Sequence, residues 1–161
     1  MNPRAADFIS LVRHPLKFRM FLFSRLPAAF FSGVRIREIN EQRCVATVPY
    51  KWITKNPFRS TYFASLSMAA EMTTGVLGLM QIYKREPSVS MLVVKVDSSY
   101  YKKATGRTRF ICADGSLFEK TVEESIQTGE AKTITAHSSG VNEAGETVAE
   151  FYVTWTFKPR K

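Results

Sequence analysis

The sequence predicts an α+β domain in which a curled antiparallel sheet of about six strands wraps one long central helix. Two observations carry this. Between Arg59 and Lys84 lie 24 residues, Ser60 to Tyr83, in which Glu71 is the only charge. On both sides of that stretch apolar residues recur with the period of two that marks half-buried strands. At about 1.5 Å per residue the stretch makes a helix of roughly 36 Å, apolar on nearly every face and therefore buried. A membrane span competes with this reading on length. Against it stand 8 polar side chains among the 24, a carboxylate that falls near mid-bilayer, and soluble-looking β-structure after Lys84.

Residues 1–32 read as a basic, aromatic arm and residues 33–161 as the main domain. In the arm, Asp7 is placed to cap a short helix ending before His14-Pro15. Pro15 then opens a second helix that carries Leu16, Met20 and Phe23 and stops at Pro27. The arm either covers an edge of its own domain or a partner subunit, or lies on a membrane surface as a basic amphipathic helix. From Val34 to Ile39 and from Arg43 to Tyr50 the alternation predicts a hairpin around Asn40-Glu41-Gln42. Pro49 and Pro57 bracket the loop Lys51–Asn56 that leads into the helix. Ser90–Tyr101 and Arg107–Ala113 are expected as a second strand pair around Thr105-Gly106. Ser116 and Glu119 have the spacing of a capping box, so Leu117–Thr128 is a short helix ended by Gly129. Ala131–Ser139 and Thr147–Lys158 close the chain as a hairpin, with Ala149, Phe151, Val153, Trp155 and Phe157 on one apolar face. One sheet cannot cover such a helix from one side, so it must curl. The helix face turned away from it is then left for a second subunit.

A chain of 161 residues with 45% hydrophobic residues supports one ordinary core. Cys44 and Cys112 lie in strand-like runs without any Cys/His cluster at ligand spacing, which argues against a disulfide framework, a zinc site or another metal or redox cofactor. Basic residues interrupt the N-terminus every few positions, so it does not read as a secretory signal, and the cytoplasm is the expected location. Net charge is +9, and it is lopsided: residues 1–59 hold 11 Lys+Arg against 3 Asp+Glu, and residues 60–161 hold 12 against 11. The basic half suggests an anionic partner. No helix-turn-helix, zinc-finger or aromatic RNA-binding signature accompanies it, so nucleic acid is not the expected one.

The element order and the motif Asn56-Pro57, then Phe63-Ala64, then Glu71, resemble the hotdog fold of acyl-CoA thioesterases and dehydratases. The resemblance covers residues 34–161. Asn56 and Glu71 are fifteen residues apart, a spacing similar to that of phenylacetyl-CoA-type thioesterases, where a loop Asn or Gln precedes a helix Asp or Glu. It implies a homodimer or dimer of dimers with sheets back to back. A thioester would then lie between the loop and helix start of one subunit and the helix carboxylate of the other. The family usually has His-Gly-Gly where this chain has Tyr62-Phe63-Ala64, and dehydratases need that histidine. The chain is most similar to a poorly characterised thioesterase-like branch in which it is commonly missing.

On this reading Glu71 is the general base, its pKa raised by desolvation. Backbone N–H groups near Tyr62 and Phe63 polarise the carbonyl at the positive end of the helix. Asn56 donates to the carbonyl or holds the water, or else is only a turn former before Pro57. Thr74, one turn beyond Glu71, is a further site candidate. Ser67, Thr74, Gly75 and Gly78 share a small-residue stripe with Glu71 that either leaves room for an acyl chain or lets the sheet approach. Lys102, Lys103, Arg107 and Arg109, with Lys158, Arg160 and Lys161 at the C-terminus, are candidates for the phosphates of a CoA. The function implied is thioester hydrolysis. The alternative is a non-catalytic acyl-CoA or lipid-binding module that keeps the cavity without the chemistry.

Overall fold

The computed structural model describes residues 2–160. Its elements are α1 (Ala5–Arg13), α2 (Pro15–Arg25), α3 (Pro27–Ser32), β1 (Arg35–Ile39), β2 (Cys44–Val48), a 3₁₀ turn (Trp52–Thr54), α4 (Phe63–Ile82), β3 (Val89–Tyr100), β4 (Thr108–Cys112), α5 (Gly115–Thr128), β5 (Lys132–Val141) and β6 (Thr147–Pro159). All six strands are antiparallel in one sheet of order β1-β2-β4-β5-β6-β3. The sheet curls around α4, and this is the hotdog fold. By length and composition α4 is a candidate membrane span, but 67% of its most apolar window is buried inside the domain.

The first and last hairpins pair as their alternation predicts, β1 with β2 and β5 with β6. The middle pairing is a correction: β3 and β4 are not partners. β3 lies against β6, while β4 is inserted between β2 and β5. Strand length explains the choice. β3 has 12 residues and β4 only 5, so pairing them would leave most of the ladder of β3 unmatched, whereas β6 with 13 matches it end to end. The capping box is also corrected. Ser116 donates to Gln42 Oε1, and the helix begins at Gly115 with no side-chain cap. Its other end is as expected, Gly129 taking the left-handed conformation at φ 70°.

The arm differs from expectation in detail. Asp7 sits inside the first turn of α1 instead of capping it; α2 stops before Pro27 as expected, but Pro27 then opens a third, short helix. His14 caps α2, its Nδ1 accepting from the N–H groups of Leu16 and Lys17. Ala5, Phe8, Val12, Phe18, Leu22 and Ala29 are buried in the same core as the sheet and α4. The change at residue 33 is thus one of secondary structure within a continuous core. Asn2 is buried and its Nδ2 donates to Met80 O and Tyr83 O, each at 2.8 Å, satisfying carbonyls at the end of α4. The face of α4 expected to need a second subunit is covered in part by α1, α3 and α5. Apolar side chains are left open on edge strand β3, where Leu92, Val94 and Val96 are exposed, as well as on α2 and in the loop before α4.

Candidate functional site

The loop before α4 is built by Asn56. Its Oδ1 accepts from the N–H groups of Phe58 (3.0 Å) and Ser60 (3.1 Å), and its Nδ2 lies 3.1 Å from Ser60 Oγ as a donor. This is an Asx-type turn, and it holds Arg59 in the left-handed region at φ 58°, uncommon for a residue with a side chain. The side chain of Asn56 is engaged within its own loop. The Tyr62 N–H donates to Thr54 O at 2.7 Å, so it does not face a ligand. Among the described residues no acceptor takes the N–H groups of Phe63 and Ala64, the first two of the helix. The N–H and Oγ1 of Thr61 both donate to Ala104 O, at 2.8 and 3.1 Å. That contact sets Lys102 and Lys103 beside the helix start. A cleft of about 570 Å³ results, lined by Asn56, Tyr62, Phe63, Leu66, Lys102 and Lys103 among others. Lys102 pairs with Glu146, and Lys103 Nζ reaches Phe58 O at 3.4 Å. Arg107 is exposed and does not line this cleft, and Lys161 lies outside the described residues.

Glu71 lines a second cavity, of about 300 Å³. Its walls are Phe18, Phe21 and Leu26 from the arm, Gly75 and Leu79 from α4, and Met91 and Trp155 from the sheet, with Arg25 at the same cavity. Among the described residues the Glu71 carboxylate has no hydrogen-bond partner, and burial in these apolar surroundings pushes its pKa up. The neighbouring hydroxyls that would satisfy a merely structural carboxylate are engaged elsewhere. Thr73 Oγ1 bonds Ala70 O (2.7 Å) and Ser138 Oγ (2.8 Å). Thr74 Oγ1 donates to the backbone O of Glu71 (3.1 Å) and accepts the indole N–H of Trp155 (3.0 Å). Thr74 is therefore a buried packing residue and presents no free hydroxyl.

Two glycines of the small-residue stripe lie close against the sheet, and one of them, Gly75, also lines the Glu71 cavity. A Cβ on Gly78 would come within 2.5 Å of the Met91 side chain and 3.2 Å of Phe157. One on Gly75 would meet Glu71 Oε1 at 2.9 Å and Trp155 at 3.3 Å. Ser67 Oγ donates to Phe63 O at 2.9 Å. In one chain the Asn56 loop and Glu71 thus line separate cavities, and eight helical positions between Phe63 and Glu71 set them about 12 Å apart along the axis. Sequence reasoning missed the arm residues Phe18, Phe21 and Leu26. Their only signal was more apolar surface than one short helix needs. Burial pushes the thiols of Cys44 and Cys112 up, the latter to about 12. Among the described residues no group of three or more His, Cys, Asp or Glu is placed to hold a metal.

No curated protein matches this sequence. Among solved structures, a Pseudomonas aeruginosa protein of unknown function described as a "Probable Thioesterase" superposes with a TM-score of 0.76 at 20% identity, covering 91% of this chain and 97% of its own. A protein of unknown function from Chlorobaculum tepidum gives 0.76 at 18%, covering 89% and 93%. A mutant thioesterase from Pseudomonas aeruginosa gives 0.66 at 14%, covering 93% and 99%. At these identities the likeness is one of fold. Residues 18–157, from the first turn of α2 to the last strand, match a family described as a domain of unknown function, and the chain therefore belongs to the DUF4442 family.

Proposed function

We propose that the protein hydrolyses an acyl thioester of the acyl-CoA type, with Glu71 as general base. The observation that carries this is the Glu71 carboxylate, desolvated and without a partner, facing an apolar cavity. Glu71 is half-buried, so its ionised form is partly desolvated, and perturbed carboxyls of this kind cluster at functional sites. In the step, Glu71 takes a proton from water as the water oxygen bonds to the thioester carbonyl carbon. The C–S bond then breaks, and the thiolate leaves with that proton to give a carboxylic acid and a free thiol. The free N–H groups of Phe63 and Ala64 are the candidates for the developing oxyanion. No metal or redox cofactor enters this reading. Structural neighbours described as thioesterases, one of them named as such outright, support it.

The separation of Glu71 from the helix start within one chain supports a homodimer in which each site combines the loop of one subunit with the carboxylate of the other. Edge strand β3 is the surface for that pairing. The outward stripe Leu16, Met20 and Phe23 on α2, each more than half exposed, supports membrane-surface contact by the arm. Two free cysteines directly opposite each other across β2 and β4 suit a reducing, cytoplasmic setting.

The second reading, a non-catalytic acyl-CoA or lipid-binding module, is favoured by Tyr62-Phe63-Ala64 standing where the resemblance implies His-Gly-Gly. A panel of acyl-CoA thioesters with wild type and Glu71→Gln side by side decides. Turnover lost in Glu71→Gln with binding retained supports the enzyme. Binding without turnover in wild type supports the module.

A further inference from the structure

Between the arm and β1 lies a cleft of about 450 Å³ lined by Arg13, His14, Arg19, Arg35 and Arg37, together with apolar residues that include Phe18 and Leu22. Four guanidiniums are gathered there, and the one acid in the lining, Glu38, is engaged by Arg43 at 3.2 Å. Arg13 Nη2 donates to Ile39 O at 2.7 Å and Arg37 Nε to Thr47 Oγ1 at 3.0 Å, which orients both side chains and leaves each with further N–H donors. Arg19 lies over the Phe30 ring at 3.9 Å, and its Nη1 is buried with no hydrogen-bond partner among the described residues. Burial, and after it the positive charge of Arg35, holds the Arg19 pKa below its usual value. His14 uses Nδ1 as an acceptor, so its Nε2 carries the proton. A folded chain that gathers like charges in a cleft, with a buried donor unsatisfied, lacks the group that would satisfy them.

We propose that this cleft binds a phosphate-bearing anion, held by Arg19 and Arg35 with support from Arg13, Arg37 and the His14 N–H. Guanidinium forks match phosphate oxygens in geometry, and the bonds are charge-assisted. The site stands apart from the proposed hydrolysis, although Phe18 is a wall both of this cleft and of the Glu71 cavity. Two sources share the chemistry: the phosphates of a soluble nucleotide-type carrier, and the headgroup of an anionic phospholipid approached through the neighbouring Leu16, Met20 and Phe23.

The test is titration of the full-length protein by calorimetry with inorganic pyrophosphate and with adenosine 3′,5′-bisphosphate, and by co-sedimentation with phosphatidylcholine vesicles with and without phosphatidic acid. Saturable binding that weakens with salt is expected on at least one arm. Binding of the soluble compounds identifies a carrier phosphate, and binding of acidic vesicles alone identifies a headgroup. Arg35→Gln should weaken it by about tenfold or more, the loss expected for one charge-assisted contact. Lys120→Gln, which removes the same charge from exposed α5, should bind as wild type. Without ligand, Arg35→Gln should melt at or above the wild-type temperature, since it relieves the repulsion of Arg19. Glu71→Gln should bind these probes as wild type does, which separates failure here from failure of the hydrolase reading. Absence of saturable binding on every arm, or equal weakening by Arg35→Gln and Lys120→Gln, overturns the proposal.

Discussion

Glu71 Oε1 rests so close over Gly75 that a methyl group added to that glycine would lie 2.9 Å from it. The glycine one turn on is therefore part of how the carboxylate is seated. Gly75→Ala should push the flexible end of Glu71 aside while the helix tolerates or welcomes the alanine, which favours α-helix by about 0.5–1 kcal/mol. The added methyl also meets the Trp155 ring at 3.3 Å, which offsets the helix gain, so thermal unfolding should change little while thioester turnover is lowered. A variant that keeps full turnover would show that the position of the carboxylate does not matter.

Glu71→Gln keeps the shape and removes the proton acceptor, so turnover should fall by about 10² to 10⁴ with little change in ligand affinity. The wild-type rate should rise with pH through an apparent pKa above the ordinary glutamate value of about 4.3.

The same group makes a stability prediction, and its sign follows from the raised pKa. Below the ordinary carboxyl range Glu71 is protonated in both folded and unfolded chains and carries no penalty. As pH rises from there through its raised folded value, the unfolded chain ionises more readily and stability is lost. Glu71→Gln should accordingly melt above wild type at neutral pH, with the difference closing near pH 4. Equal melting at both pH values would mean that the carboxylate is not desolvated.

Thr74→Val should leave the indole N–H of Trp155 unpaired in the core, because that bond is the link between α4 and β6 at this point. A buried donor left without its acceptor costs about 1–3 kcal/mol. For a chain of this size that lowers Tm by about 2–4 °C per kcal/mol. Turnover of the folded variant should stay near wild type, which distinguishes packing from chemistry.

Light scattering should find a dimer or tetramer. Val94→Lys with Val96→Lys, on the exposed stretch of β3, should shift it toward monomer and remove turnover together, because one chain keeps Glu71 and the helix start about 12 Å apart. An active monomer would exclude a site shared between subunits.

The sequence by itself determined the elements whose cause is local. An apolar run with a single charge makes α4 a core helix and singles out Glu71. Period-two alternation across short turns makes the β1/β2 and β5/β6 hairpins, since neighbouring strands joined by a few residues have little choice of partner. Tertiary structure alone decided what depends on distant partners. β3 pairs with β6 because their lengths match, although β4 follows it in the chain. Thr74 is claimed by Trp155, 81 residues away, and the Tyr62 N–H by Thr54. The arm, whose buried side chains read as a separate piece, walls the Glu71 cavity and assembles four arginines against β1. Hydrophobic pattern says that a side chain will be buried, but which surface buries it is settled only when every element competes for the same core.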